Sequence, residues 1–210
     1  MIVAFLNQKG GVGKSTLSIH MATALALRGS RVLLVDADPQ HSALDWQASR
    51  QTDPLLPVIG LPTKTLHKEV AMHARNYDHI IIDGPPRVNE LARAAILASD
   101  IVLIPVNPSP YDVWAAAEIV QLISEAAVYK EKLIAAFIVN RKIVGTAIGR
   151  DVTGALAEYA LPVLESAVCQ RVAFAESAAT GSTVLESDPR GVAAQEINAL
   201  TDELERLVQA

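Results

Sequence analysis

Eight consecutive residues near the amino terminus combine glycine, lysine and hydroxyl side chains: Lys9, Gly10, Gly11, Val12, Gly13, Lys14, Ser15 and Thr16. Glycines let a backbone turn its N–H groups inward around an anion, and a helix that starts behind them adds the positive end of its dipole. Lys14 can then neutralise terminal phosphates, and Ser15 can offer its hydroxyl to Mg²⁺. Thr16 can reach a phosphate oxygen closer to the ribose. The loop therefore predicts a binding site for a nucleoside triphosphate with Mg²⁺.

Two aspartates stand where apolar runs end. Asp83 follows three isoleucines, where a carboxylate is costly to bury unless it meets a cation, so we expect it to hold Mg²⁺ through water. Asp38 begins an Asp-Pro loop after the apolar run 32–35, and it can orient or activate a water that attacks the terminal phosphate. Its neighbour Asp36 fits a turn cap as well as a role in the site. These carboxylates indicate hydrolysis of the bound triphosphate.

Asn140 closes the apolar run at 133–139 and carries both a donor and an acceptor. An amide in that place can recognise the edge of an adenine base, and it can almost equally cap a loop. The sequence leaves these two roles open.

The elements that position these residues follow from hydrophobic periodicity. Short, almost wholly apolar runs predict strands buried on both faces, at 2–6, 31–35, 79–82, 101–105 and 133–139. Longer patterns predict helices at 14–28, 63–75, 88–98, 111–128, 144–159 and 190–208. This alternation predicts an α/β fold, a single domain over residues 1–210 with a mostly parallel twisted sheet flanked by helices. The candidate residues all follow strands, so they should meet at the carboxyl edge of the sheet.

The glycine loop departs from the general phosphate-loop pattern, which asks for glycine where Gln8 stands, and it places Lys9 beside that position. With this departure, residues 9–15 resemble the KGGxGK[ST] signature of the deviant Walker A ATPases, the ParA and MinD family. Three further segments resemble family motifs: the second-strand motif at 35–40, the Walker B motif at 80–86, and the carboxyl-terminal segment of the small, ParF-like ParA proteins at 170–186. The resemblance implies a P-loop NTPase architecture.

By this resemblance the chain is a slow, partner-stimulated ATPase that binds ATP and Mg²⁺. Lys14 and Asp38 are then catalytic, and Asp38 also lies at the metal with Ser15 and Asp83. Lys9 is catalytic as well, because in the family it reaches across a dimer interface to the partner's nucleotide. ATP thus joins two chains, and hydrolysis separates them. A centromere-binding adaptor similar to ParB or ParG stimulates the hydrolysis.

The composition is typical of a folded, cytoplasmic protein. Half of the residues are hydrophobic, the formal net charge is −5, and the single cysteine excludes both an internal disulfide framework and a thiolate metal site. The apolar runs are too short or too interrupted to span a membrane, and the first of them lacks the flanks of a signal peptide. Because the whole chain is acidic, any contact with DNA requires a local basic patch.

Small ParA-type proteins bind DNA without sequence preference as ATP dimers, and the resemblance implies the same here, on the nucleoid. Candidate contacts are basic residues, several of them near loop or helix ends: Arg141, Lys142, Arg150, Arg171 and Arg190. A patch doubled by two-fold symmetry would give an acidic protein enough phosphate contacts. We therefore expect the function to be partition or positioning of a plasmid or chromosome.

Other members of the same fold supply the alternatives. A MinD-like regulator needs a basic amphipathic helix at its carboxyl end, whereas residues 196–208 are amphipathic but acidic, so we expect no membrane partner. An iron–sulfur protein similar to the nitrogenase iron protein needs two cysteines per chain, and this chain has one. A small-molecule enzyme of the biotin-synthesis or cobyrinate-amidating type needs a further substrate pocket, and the sequence shows neither a glutaminase nucleophile nor an extra domain that would provide one. A positioning ATPase on a membrane or protein scaffold, and a scaffold whose nucleotide only organises a dimer, remain as alternatives.

Overall fold

The computed structural model describes residues 1–87, 90–146 and 148–209, without the side chains of residues 148–150 and 209. Within these residues the strands are β1 Ile2–Phe5, β2 Val32–Asp36, β3 Val58–Gly60, β4 His79–Asp83, β5 Ile101–Val106 and β6 Ile134–Val139. They form one six-stranded sheet in the order β3-β2-β4-β1-β5-β6, and every strand pairing in it is parallel. The predicted α/β fold with a parallel sheet is confirmed.

Helices flank the sheet. Their bounds are α1 Lys14–Leu27, α2 Ser42–Ala48, α3 Leu66–His73, α4 Glu90–Ala98, α5 Pro110–Ala127, α6 Ile148–Leu156, α7 Val172–Ala178, α8 Val184–Ser187 and α9 Val192–Gln209, with a 3-10 turn at Ala157–Tyr159. Each predicted helix is present with shifted ends; the one expected at 144–159 begins at Ile148, and the first two residues of the one expected at 88–98 lie outside the described chain. None of the described helices has the length and apolar character that crossing a bilayer requires.

The core consists of two apolar layers, one on each face of the sheet. Side chains of β1 and of Leu6, the residue after it, alternate between them: Val3 and Phe5 pack in one layer, and Ala4 and Leu6 in the other. The first layer is completed by α1, α8 and α9, and the second by α3, α4, α5 and α6. Burial on both faces explains why the central strands are apolar at almost every position.

Four short elements of the described chain were not predicted from the sequence, namely β3, α2, α7 and α8. The strand β3 has three residues at the edge of the sheet, and the three helices have seven, seven and four residues. Such lengths are too short to show a hydrophobic period. Helices of this size depend on tertiary contacts for their stability.

The order of the strands opens a crevice at the carboxyl edge. The connection from β1 leads through α1 to β2, whereas the connection from β5 leads through α5 to β6 on the opposite side of β1. Where neighbouring connections diverge in this way, the loops that follow the strands leave room for a ligand. The candidate residues after β1, β2 and β4 therefore converge on this edge.

Candidate functional site

The glycine loop joins β1 to α1. Gly11 and Gly13 have φ angles of +76° and +94°, a region that strains any residue with a side chain. Gly13 occupies the N-cap of α1, and among the described residues no side chain forms a cap hydrogen bond there. The first N–H groups of a helix without a cap are available to an anion, and the helix dipole favours negative charge at that end. The loop thus has the geometry of a phosphate site.

Asn140, at the end of β6, lies beneath this loop. Its Nδ2 donates a hydrogen bond to Val12 O at 2.7 Å, and the side chain is buried. A Cβ on Gly13 would overlap the Asn140 amide, so glycine is required there for close packing as well as for its φ angle. The contact gives Asn140 the loop-capping role that the sequence left open. Recognition of a base by the same side chain stays a prediction.

The carboxylates at the ends of β2 and β4 lie side by side, since Asp36 and Asp83 are register partners. Both oxygens of Asp36 accept backbone N–H groups: Asp38 N at 3.1 Å, Ala43 N at 2.9 Å and Leu44 N at 3.1 Å. Asp36 therefore caps the start of α2 and holds the intervening loop, which answers the question that the sequence left open.

Asp83 has the opposite environment. It is fully buried, and within the described chain neither of its carboxylate oxygens has a hydrogen-bond partner of normal geometry. Burial raises its pKa to about 7, although the nearby Ser15 side chain acts in the opposite direction. A buried carboxylate without partners is costly unless a cation compensates for it. Asp83 and the Ser15 hydroxyl are hard oxygen donors of the kind that Mg²⁺ prefers, so these residues fit that ion.

Lys14 completes the cluster. Its side chain is buried and donates to Lys9 O at 3.4 Å. Burial lowers its pKa, while the charges of Asp83 and Asp38 oppose that change. Asp38 is also buried, and its Oδ1 accepts Gln40 N at 2.8 Å, which fixes the carboxylate at the start of the loop. The structure thus brings together the predicted lysine of the glycine loop and both predicted carboxylates.

Lys9 points away from this cluster and toward α5. Its Nζ lies 2.5 Å from Asp112 Oδ2, and Asp112 is buried in the first turn of that helix. Asn107 donates from Nδ2 to the other Asp112 oxygen at 3.1 Å. Asp112 is not recognisable as a site residue from the sequence, because an acidic residue behind Ser109 and Pro110 has the pattern of an ordinary helix start. Its partner is visible only in the fold.

A cleft of about 900 Å³ adjoins the glycine loop. Thr16 and Asn140 line one side of it, and residues after β6 and in α7 line the rest: Arg141, Ile143, Val144, Val168, Cys169, Gln170, Arg171, Val172, Phe174, Ala175 and Ala178. The cleft is open and mainly apolar, a lining suited to the flat ring of a base. It continues from the end of the phosphate loop where the ribose and base of a nucleotide would follow.

The basic candidates are distributed around the second half of the chain. Arg141 and Arg190 are exposed, and Lys142 is half-buried. Arg171 forms an ion pair with Glu196, with 2.6 Å between Nη2 and Oε1. Its charge is balanced within the chain, so we expect Arg171 to contribute less to DNA contact than an unpaired residue, and its place among the candidate contacts stays a prediction. The side chain of Arg150 lies outside the described residues.

Comparisons with known proteins show the family of the chain. The model of the CobQ/CobB/MinD/ParA nucleotide-binding domain matches residues 3–184. Maintenance of carboxysome distribution protein A from Halothiobacillus neapolitanus is 32% identical over 206 residues, which cover 96% of this chain and 95% of that protein. The chromosome-partitioning ATPase Soj from Thermus thermophilus is 28% identical over 239 residues, covering 99% of this chain and 96% of that protein.

Solved structures show the same fold. The septum site-determining protein MinD from Pyrococcus horikoshii, complexed with Mg-ADP, superposes with a TM-score of 0.77 at 20% sequence identity, and the match covers 99% of this chain and 96% of that one. At this identity the likeness concerns the fold.

Proposed function

Because the chain belongs to the CobQ/CobB/MinD/ParA nucleotide-binding family, we propose that it is an ATPase switch that pairs when it binds ATP, holds DNA as a dimer and positions a cargo. The single observation that carries this proposal is the buried cluster of Lys14, Asp38 and Asp83 at the start of α1, whose N-cap is Gly13. The arrangement combines phosphate binding, a fitting set of metal ligands and a carboxylate placed to act on water.

Each residue has a definable task in hydrolysis. The N–H groups of the loop and the Lys14 ammonium bind and orient the phosphates, and Asp83 with the Ser15 hydroxyl would hold Mg²⁺. The ion, when bound, neutralises charge on the phosphate oxygens. Asp38 accepts a hydrogen bond from the attacking water and orients it toward the terminal phosphate. Thr16 and the walls of the cleft hold the ribose and the base.

Lys9 links hydrolysis to pairing. Its side chain faces α5 in the single chain, so it does not act on the phosphates that its own loop encloses. We infer that in the dimer it leaves Asp112 and reaches the partner's nucleotide, where it stabilises charge that develops on the phosphates. ATP then joins the two chains, and its loss separates them.

DNA binding follows from pairing. Arg141, Lys142 and Arg190 carry charge at the surface, and Arg150 belongs to the same predicted set. One copy of this patch is small on an acidic protein, whereas two copies related by a two-fold axis double the number of phosphate contacts. Binding of this kind depends on charge and therefore falls steeply as salt is added. On the nucleoid, the dimer would be released when an adaptor similar to ParB or ParG stimulates hydrolysis.

The cargo has two candidates. Partition of a plasmid or chromosome is the function that the motifs imply, and Soj carries chromosome partitioning in its name. The relative at 32% identity is named for maintenance of carboxysome distribution, which favours a protein assembly as the second candidate. Deletion of the gene separates the two. Loss of DNA inheritance supports partition, and misplaced protein assemblies with normal inheritance support the second.

The first experiment measures binding of the purified chain to arbitrary duplex DNA with ATP, ADP or no nucleotide, at low and at physiological ionic strength. The molecular mass and the release of phosphate from ATP are determined alongside. Salt-sensitive binding by a dimer, with ATP alone, supports the proposal. An ATP-dependent dimer that does not bind DNA contradicts the proposed DNA binding. It favours a positioning ATPase that acts on a membrane or protein scaffold. A dimer without measurable phosphate release would leave only the non-enzymatic scaffold.

A further inference from the structure

The segment from Gly181 to Glu186, which includes the loop after α7 and the first three residues of α8, contacts both helices that follow the nucleotide loops. It belongs to the stretch that resembles the carboxyl-terminal segment of small ParA proteins. Thr183 caps α8, and its backbone N–H and its hydroxyl bond to Glu186 Oε2 at 3.1 and 3.0 Å. These bonds fix the Glu186 carboxylate in one orientation.

The carboxyl end of α2 is bound to this segment. The Trp46 indole donates from Nε1 to Ser182 O at 2.9 Å. Arg50, two residues past α2, pairs with Glu186 and donates from Nη1 to Gly181 O at 3.0 Å. The Arg50 side chain is 5% exposed, so water screens this pair weakly. Against the cost of burial, hydrogen bonds led by that from Arg50 hold the pKa of Glu186 below its ordinary value.

The backbones also meet here. Gly181 has a φ of +63°, and a Cβ on it would overlap the backbone of Arg50. The two stretches of chain therefore approach each other as closely as glycine permits.

The same segment is bonded to α1 through His20, which is buried. Its Nδ1 donates to Thr16 O at 2.6 Å, and its Nε2 accepts Val184 N at 3.2 Å. Burial lowers the pKa of His20 to about 4, so the ring is neutral and can make one bond of each kind. The segment thus holds the helix of the phosphate loop and the helix after the Asp38 loop in one frame.

Helix α2 in turn determines where Asp38 lies. The helix begins four residues after Asp38, and His41 N donates to Asp38 O at 2.9 Å. The other end of the loop is fixed by Asp36, which bonds both to Asp38 N and to the first turn of α2. A small displacement of α2 therefore displaces Asp38.

We propose that the Arg50–Glu186 pair positions Asp38 for hydrolysis by clamping α2 to the helix of the phosphate loop. The inference rests on the proposed function, because the role of Asp38 belongs to it. Arg50 and Glu186 are positioning residues that act through α2. Loss of alignment by a fraction of an ångström slows chemistry more than it weakens binding. A pair that only stabilises the fold would change the melting temperature and leave turnover by the folded protein intact.

The test compares Glu186→Gln with Glu205→Gln in the full chain. Glu205 of α9 pairs at 2.6 Å with Arg28, the residue that follows α1, so its variant removes an ion pair at the end of α1 away from α2. ATP hydrolysis is measured against ATP concentration well below the melting temperature of each variant. For Glu186→Gln we expect kcat to fall about tenfold with KM within about twofold of the wild type. Glu205→Gln should keep both values.

Three further variants keep the proposal testable if Glu186→Gln folds poorly. Trp46→Phe removes the bond to Ser182 O and keeps an aromatic ring in the core, and it should also lower kcat alone. Arg50→Lys keeps the cation and should retain more turnover than Arg50→Met. A normal kcat in Glu186→Gln or Trp46→Phe overturns the proposed clamp, whether or not KM changes. Wild-type protein without hydrolysis would instead refute the proposed function.

Discussion

Lys9 and Asp112 form an ion pair of 2.5 Å between the glycine loop and the first turn of α5, although 103 positions separate them in the chain. Asp112 is buried, and Lys9 is about one-third exposed. The lysine that distinguishes this glycine loop from the general pattern is therefore held within its own subunit when the chain is alone. Any role for Lys9 in a partner's site requires that this pair separates.

Substitution Asp112→Asn should promote pairing. Departure of Lys9 leaves the Asp112 carboxylate buried, with Asn107 as its remaining side-chain partner among the described residues. This is costly for a charged group and less so for an amide. We expect the variant to form dimers at an ATP concentration several-fold lower than the wild type does, as measured by light scattering during an ATP titration. Lys9→Ala is the control, and it should bind ATP and remain monomeric. Unchanged or weaker pairing by Asp112→Asn would contradict the argument.

Substitution Asp38→Ala should separate binding from turnover. The loss of a carboxylate that orients water typically lowers kcat by about a hundredfold or more. Because Asp38 does not hold the loop glycines, ATP binding and ATP-dependent dimers should persist. Phosphate release and calorimetric titration with ATP measure the two effects. Lys14→Ala provides the contrast and should lose ATP binding itself. An Asp38→Ala protein with normal phosphate release would remove the role assigned to this carboxylate.

Asp83 predicts a dependence of stability on pH. Its pKa in the folded chain is raised to about 7, above the ordinary value of 3.8, so the folded state holds a proton that the unfolded state has lost between about pH 4 and 7. The unfolding free energy should therefore decrease as pH rises through this window. Asp83→Asn removes this contribution and should be more stable than the wild type at pH 8 without nucleotide. Thermal unfolding at a series of pH values measures the difference, and parallel curves for the two proteins would refute it.

The basic patch predicts a graded loss of DNA affinity. Replacement of Arg141 or Lys142 by alanine, each in a separate variant, should weaken binding of the ATP form to duplex DNA. It should also reduce the slope of log affinity against log salt concentration by about one for each removed charge. Arg171→Ala is the matched control, because its guanidinium is already paired with Glu196. Arg171→Ala should change the salt dependence of DNA binding less than Arg141→Ala or Lys142→Ala does. The reverse order would place the DNA surface on the α7 side of the cleft.

Much of the fold was predictable because its signals are local. The strands of the central sheet are continuous apolar runs, and the glycine loop has its defining residues in one stretch of eight. Parallel strands then bring Asp38 and Asp83 to the same edge as that loop. The short helices α2, α7 and α8 were not predictable, because their stability comes from contacts such as the bonds of Asp36 to Ala43 and Leu44.

The sequence by itself determined the chemistry of this protein: a phosphate loop, a lysine within it, and carboxylates behind apolar strands. The tertiary structure alone decided which side chains are partners. With 18 basic and 23 acidic residues, composition allows many ion pairs, and nothing local selects Asp112 for Lys9 or Glu186 for Arg50. The pairing depends on which loops the sheet brings into contact. Burial then determines which ion pairs are strong, because water screens buried charges less.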